Sequence, residues 1–145
     1  MHSRKRAASA RGPILIVDDN PDDAKLAQRA FERLNPQIPI HVVGSGVDLV
    51  KHLEGITASA SADAAVAIPS VILLDLKMPE MDGFTILKWM ANQPQFTGIP
   101  VIILSTFDDL LHVKQAYSLG ARSYLLKPIS GDSLRDALSS LNIAV

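Results

Sequence analysis

The chain has 145 residues, enough for one compact domain with a sizeable core, and its 48% hydrophobic and 20% charged residues fit an ordinary globular protein. A formal net charge of −1 gives no basis for nucleic-acid binding across the whole domain, and the lack of cysteine excludes disulfides, thiolate metal sites and cysteine nucleophiles. No apolar run approaches membrane-spanning length and no signal-peptide core follows the basic start, so the expected compartment is the cytoplasm.

In chain order, residues 1–12, "MHSRKRAASARG", set Arg4, Lys5, Arg6 and Arg11 among Ala and Ser with nothing to bury. They read as a flexible basic tail, and so short a cluster predicts neither direct DNA binding nor membrane contact. From Pro13 to Val145 short apolar runs alternate with helical patterns. "PILIVDDN" is a β-type run ending in acids, and "NPDDAKLAQRAFERL" places Leu26, Ala27, Ala30, Phe31 and Leu34 on one helical face. Asn20 suits that helix's N-cap and Pro21 its first position, while Asp22 and Asp23 favour its positive end. "IPIHVVG" predicts a second strand, and "VDLVKHLEG" a short helix stopped by Gly55. The Ala/Ser-rich residues 56–69 read as an inserted loop, with room for some helix.

"VILLD" is the third strand, ending at Asp75, and Asp82-Gly83 open a helix carrying Phe84, Ile86, Leu87 and Met90. "PVIILS" is the fourth strand, followed by a helix in "DDLLHVKQAYSLG" that Gly120 ends. "ARSYLLK" is the fifth strand, and Ser130 caps a last helix with Leu134, Ala137, Leu138 and Leu141 on one face. Five strands alternating with five helices predict a three-layer α/β/α sandwich around a parallel sheet. Ligands in such folds gather beyond the carboxyl ends of the strands.

Those ends carry Asp18-Asp19, Asp75, Ser105-Thr106 and Lys127-Pro128. Each alone admits a plain role: a helix-end acid, a turn residue before Pro79, a strand-end hydroxyl, a surface lysine. Together they suggest more. If the first and third strands are neighbours, three carboxylates lie close enough to repel unless a cation intervenes, and hard oxygen ligands suit Mg²⁺. Lys127 and Ser105 could bind a doubly negative oxyanion, and a carboxylate can itself accept a phosphoryl group.

"ILIVDDNPDD", "ILLDLKMPEMDG", "PVIILST" and "GARSYLLKPIS", in that order, make the chain resemble a response-regulator receiver domain over about Pro13 to Leu141. The resemblance implies a CheY-like, five-stranded parallel sheet of order 2-1-3-4-5. It implies that Asp75 is phosphorylated by a sensor histidine kinase or phosphotransfer protein, with Mg²⁺ as cofactor. Asp19 and Asp75 would ligate the metal directly, Lys77 through its carbonyl, and Asp18 mainly through water. Ser105 would hydrogen-bond the phosphoryl group and Lys127 pair with it. Tyr124 would swing inward as Ser105 moves, switching the surface of the fourth helix, fifth strand and fifth helix. The Lys127-Pro128 bond would be cis. The output would be a downstream protein or a second copy of the chain, as a homodimer, because few residues follow the last helix and no output domain is expected.

The spacing from Asp19 to Asp75 exceeds the family's usual one, with the surplus ahead of the third strand. Receivers that serve phytochrome-type histidine kinases are also longer there, which suggests such a kinase as partner. Lys77, Thr106 and Phe107 should tune access to the acceptor, and slow self-hydrolysis of the phosphorylated form is expected. His41, His52 and His112 read as surface or packing residues. An aspartate-nucleophile phosphatase would want an acid where Lys77 stands, and a nucleotide-binding flavodoxin-like protein would want a Gly-rich loop after the first strand. A phosphorylation-independent binding module on the same fold is the remaining alternative, although none of the acids, Ser105 or Lys127 is missing.

Overall fold

Branched apolar side chains suit a pleated surface, and each apolar run here is closed by a residue that leaves the strand. The computed structural model describes residues 12–59, 68–106 and 110–143. Its strands are β1 (Ile14–Val17), β2 (Ile40–Val43), β3 (Val71–Asp75), β4 (Val101–Ser105) and β5 (Ser123–Leu126). They pair in parallel in the order β2-β1-β3-β4-β5, as expected. Between them run α1 (Pro21–Leu34), α2 (Gly46–Ser59), α3 (Gly83–Ala91), α4 (Leu110–Ser118) and α5 (Gly131–Ser140), with a 3₁₀ turn at Pro94–Phe96.

The alternation of strand side chains divides the core in two. Leu15, Val17, Ile72, Leu74 and Ile103 face Leu49 and Leu53 of α2 and Ile86, Leu87 and Met90 of α3. Ile14, Ile16, Leu73, Ile102 and Leu104 face Ala24, Ala27, Ala30 and Phe31 of α1 and Leu134, Ala137 and Leu138 of α5. Each fully buried Leu or Ile contributes about 1.5–3 kcal/mol. β1, β3 and β4 are buried along their whole length, which anchors the positions where they stop. No helix among the described residues is long and apolar enough to cross a membrane.

The helix ends follow the expected chemistry. The Asn20 side chain accepts the Asp22 and Asp23 amides, Asp82 accepts that of Thr85, and Ser130 that of Ser133. Gly120 ends α4 at φ 113, where Ala121 N–H donates to the Ala116 carbonyl and Gly120 N–H to that of Tyr117. Only glycine adopts that backbone at little cost.

Two expectations change. Gly55 does not stop α2, which continues to Ser59 and takes up the room for helix at the start of the 56–69 segment. Leu49, Leu53 and Ile56 form one helical row against the core, and its burial outweighs the roughly 1 kcal/mol that a mid-helix glycine costs. Residues 60–67 of that segment and 1–11 of the basic tail lie outside the described residues. In α1, Leu26 is 43% exposed, and Ala24 rather than Leu26 joins the buried row. The row that fits helical spacing runs 24, 27, 31, 34, and position 26 falls well to one side of it.

Candidate functional site

Register brings the candidate residues to one edge of the sheet. Val17 pairs with Leu74, so Asp18 and Asp75 leave adjacent strands at the same level. Ser105 pairs with Leu126, so Lys127 emerges beside Ser105, and its N–H donates to the Ser105 carbonyl at 2.8 Å. The Lys127-Pro128 peptide is cis. Among the described residues, Asp18, Asp75 and Ser105 are the buried polar side chains, at 2%, 7% and 1% exposure, at the ends of strands whose apolar length holds them still. Asp18 Oδ1 accepts the Asn20 N–H at 3.0 Å. Asp75 Oδ1 accepts the Lys77 N–H at a long 3.4 Å, leaving its other oxygen toward the cluster. Ser105 Oγ has no hydrogen-bond partner among the described residues.

Gly83 lets α3 begin close to this edge. Its N–H donates to the Leu76 carbonyl at 3.0 Å, and a Cβ there would lie 2.9 Å from Leu76 Cα and 3.0 Å from the Asp75 carbonyl oxygen. The loop carrying Lys77 is thereby held between the end of β3 and the Asp82 cap.

Electrostatics decide the state of the cluster. One carboxylate oxygen from each of Asp18, Asp19 and Asp75 lies within 4.8 Å of the others. Lys127 Nζ stands 2.9 Å from Asp18 Oδ2, 3.1 Å from Asp23 Oδ2 and 3.5 Å from Asp75 Oδ2. Burial pushes the Asp75 carboxyl up to about 7, with Asp18 adding to the effect and Lys127 and the Lys77 N–H opposing it. Burial works against the charge on Lys127, but Asp18, Asp75 and Asp23 together hold its ammonium above the usual lysine range. One lysine does not neutralise this many acids. Two buried carboxylates and an exposed third, all oxygen donors, are a donor set that fits a hard divalent cation such as Mg²⁺.

The other expected residues lie around this centre. Lys77 is exposed and borders an open cleft of about 450 Å³, which Leu76, Met78, Asp82, Phe84 and His112 also line. Thr106 is exposed beside Ser105, and Phe107 lies outside the described residues. Tyr124 is 38% exposed and meets Tyr117 edge to face at 6.5 Å. Among the described histidines, His41 pairs with His52 at 5.2 Å, and His112 packs on Phe84 at 5.9 Å. Burial, with His41 beside it, lowers the His52 pKa. Sequence reasoning missed the role of Asp23, assigning it only to the helix end. Its signal was surplus acid: Asn20 caps α1, so a second aspartate in the first turn is not needed for capping.

A family model described as the response regulator receiver domain matches residues 14–139. The probable methanogenesis regulatory protein FilR2 of Methanothrix harundinacea is 32% identical over 131 residues, covering 88% of this chain and 79% of FilR2. The structure of the bacteriophytochrome response regulator RtBRR superposes with a TM-score of 0.78 at 30% identity, over 92% of this chain and 80% of that one. The phosphorylated cyanobacterial phytochrome response regulator RcpA superposes with a TM-score of 0.70 at 26% identity, over 92% of each chain.

Proposed function

The chain belongs to the response regulator receiver family, and from that membership we propose that it is a regulator that accepts a phosphoryl group on Asp75. The observation that carries this reading is the meeting at one strand edge of Asp75, Lys127 and the buried hydroxyl of Ser105, which has no partner among the described residues. An ionised Asp75 oxygen attacks the phosphorus of a phosphohistidine on a sensor histidine kinase or phosphotransfer protein. The P–N bond breaks and its electron pair stays on the imidazole, whose other ring nitrogen carries a proton, so it leaves as neutral imidazole while a P–O bond forms on Asp75. Lys127 pairs with the incoming negative charge, and Ser105 Oγ–H donates to a phosphoryl oxygen.

Asp19 and Asp75 would hold Mg²⁺ directly, Asp18 mainly through water, and Lys77 through its carbonyl. When bound, the cation supplies positive charge against the phosphoryl oxygens and favours ionised Asp75. Lys77 at the cleft, with Thr106 and Phe107 next after Ser105 in sequence, restricts water, so self-hydrolysis is slow and the chain is a signalling protein rather than an enzyme. As Ser105 turns toward the phosphoryl group, Tyr124 follows it inward and the α4–β5–α5 face changes. That face exposes Leu111, Tyr117, Tyr124 and Leu126, an apolar surface for a protein target or a second copy of the chain rather than for DNA. A phytochrome-type kinase is the favoured partner, because RtBRR and RcpA are phytochrome response regulators.

The test is incubation with Mg²⁺ and acetyl phosphate, comparing wild type with Asp75→Asn by intact mass. A Mg²⁺-dependent gain of one phosphoryl group, lost in the variant, is the expected result. No gain in wild type, with no response to beryllofluoride, would favour the phosphorylation-independent binding module. Loss of the acid-labile phosphate within seconds would overturn the slow hydrolysis.

A further inference from the structure

Asp23 stands in the first turn of α1, yet its amide is already bound by the Asn20 side chain, which caps the helix. Its carboxylate reaches across to Lys127, 104 residues away in sequence, and accepts a hydrogen bond from Nζ at 3.1 Å. That is closer than the 3.5 Å from Nζ to Asp75 Oδ2. An ammonium has three N–H donors, and here three carboxylates stand around it, Asp18, Asp23 and Asp75.

We propose that Asp23 is a positioning residue that competes with the Asp75 site for Lys127, and so sets how strongly the site takes up a phosphoryl-like anion. This rests on the phosphoacceptor reading of Asp75 and adds a determinant of its strength. The hydrogen bond that Nζ donates goes to Asp23, whereas Asp18 and Asp75 meet it as ion pairs, so an ammonium that turns to an anion bound at Asp75 must loosen its hold on a neighbouring carboxylate. Asp18 is fully buried as a side chain and would be left without water, whereas the Asp23 side chain is 34% exposed and can be rehydrated. Asp23 is therefore the partner that gives way. Its bridge to Lys127 stabilises the unmodified state and is absent from the anion-bound one.

The experiment is a titration of the full chain with beryllofluoride at saturating Mg²⁺, for wild type, Asp23→Asn, Asp23→Glu and Asp22→Asn. Asp22 lies in the same turn, is exposed, and serves as the control for charge alone. Asp23→Asn is expected to bind the anion about three- to fivefold more tightly, the scale of a partly exposed ion pair. Mg²⁺ affinity should not rise with it, Asp23→Glu should return toward wild type, and Asp22→Asn should change nothing. Unchanged or weaker anion binding in Asp23→Asn overturns the proposal, as does an equal gain in Asp22→Asn. A wild type that binds no beryllofluoride overturns the phosphoacceptor reading and this one with it. A wild type that binds, with Asp23→Asn identical, overturns this one alone.

Discussion

At the scale of single residues, the site is defined by groups whose surroundings do not suit them. Ser105 Oγ is buried and unpartnered among the described residues, a state that costs about 1–3 kcal/mol. Ser105→Ala should therefore leave the unliganded protein as stable as wild type or up to about 1 kcal/mol more stable. The same change should weaken beryllofluoride binding about tenfold, by removing one charge-assisted hydrogen bond. Parallel thermal melts and anion titrations check the pair of effects; a loss of stability with unchanged binding would make Ser105 a packing residue. Asp75 and Lys127 show the same logic in charge. Asp75 is buried beside another acid, and Lys127 is crowded by more carboxylates than it can neutralise.

At the scale of elements, the decisive feature is how strand ends and helix starts meet. β3 stops at Asp75 and α3 begins eight residues later at Gly83, which lies against Leu76 and the Asp75 carbonyl. Gly83→Ala puts a methyl 2.9 Å from Leu76 Cα, so α3 or the intervening loop must move. A destabilisation of about 1–3 kcal/mol is expected, the usual range for overpacking. Because the loop carries the Lys77 carbonyl, Mg²⁺ affinity should fall as well. Chemical denaturation and Mg²⁺ titration test this together; an unchanged Mg²⁺ affinity would place the loop outside the metal's influence. Caps, strand positions and the Gly120 stop were legible because each rests on neighbours in sequence. The end of α2 was not, because the core burial of Ile56 overrides the local signal of Gly55.

At the scale of the whole molecule, the fold stores repulsion at its carboxyl edge. Without metal the Asp75 carboxyl is raised to about 7 from an ordinary 3.8, so the fold favours its protonated form. Its contribution to stability is complete below about pH 4 and is lost as pH rises through about 7. Metal-free Asp75→Asn should thus be more stable than wild type at pH 8, by a few kcal/mol on the order of magnitude of the shift. The gap should close as pH falls toward 4, and Mg²⁺ should raise the melting temperature of wild type far more than that of the variant. Melts across pH with and without Mg²⁺ check this; equal pH dependence in both proteins would mean that Asp75 is not the group responsible.

The layered α/β fold, the parallel sheet and the residues that end each strand are legible in the amino-acid order alone, because apolar periodicity, caps and turn residues act over a few positions. So are the acids, the hydroxyl and the lysine. Which of them touch is set in three dimensions. Strand register put Asp18 level with Asp75 and Lys127 beside Ser105, and the packing of α1 brought Asp23 to Lys127. It also left Leu26 exposed, although it is as apolar as its buried neighbours. Register and helix orientation come from the burial of both core faces at once, a sum over the whole chain that no local pattern contains.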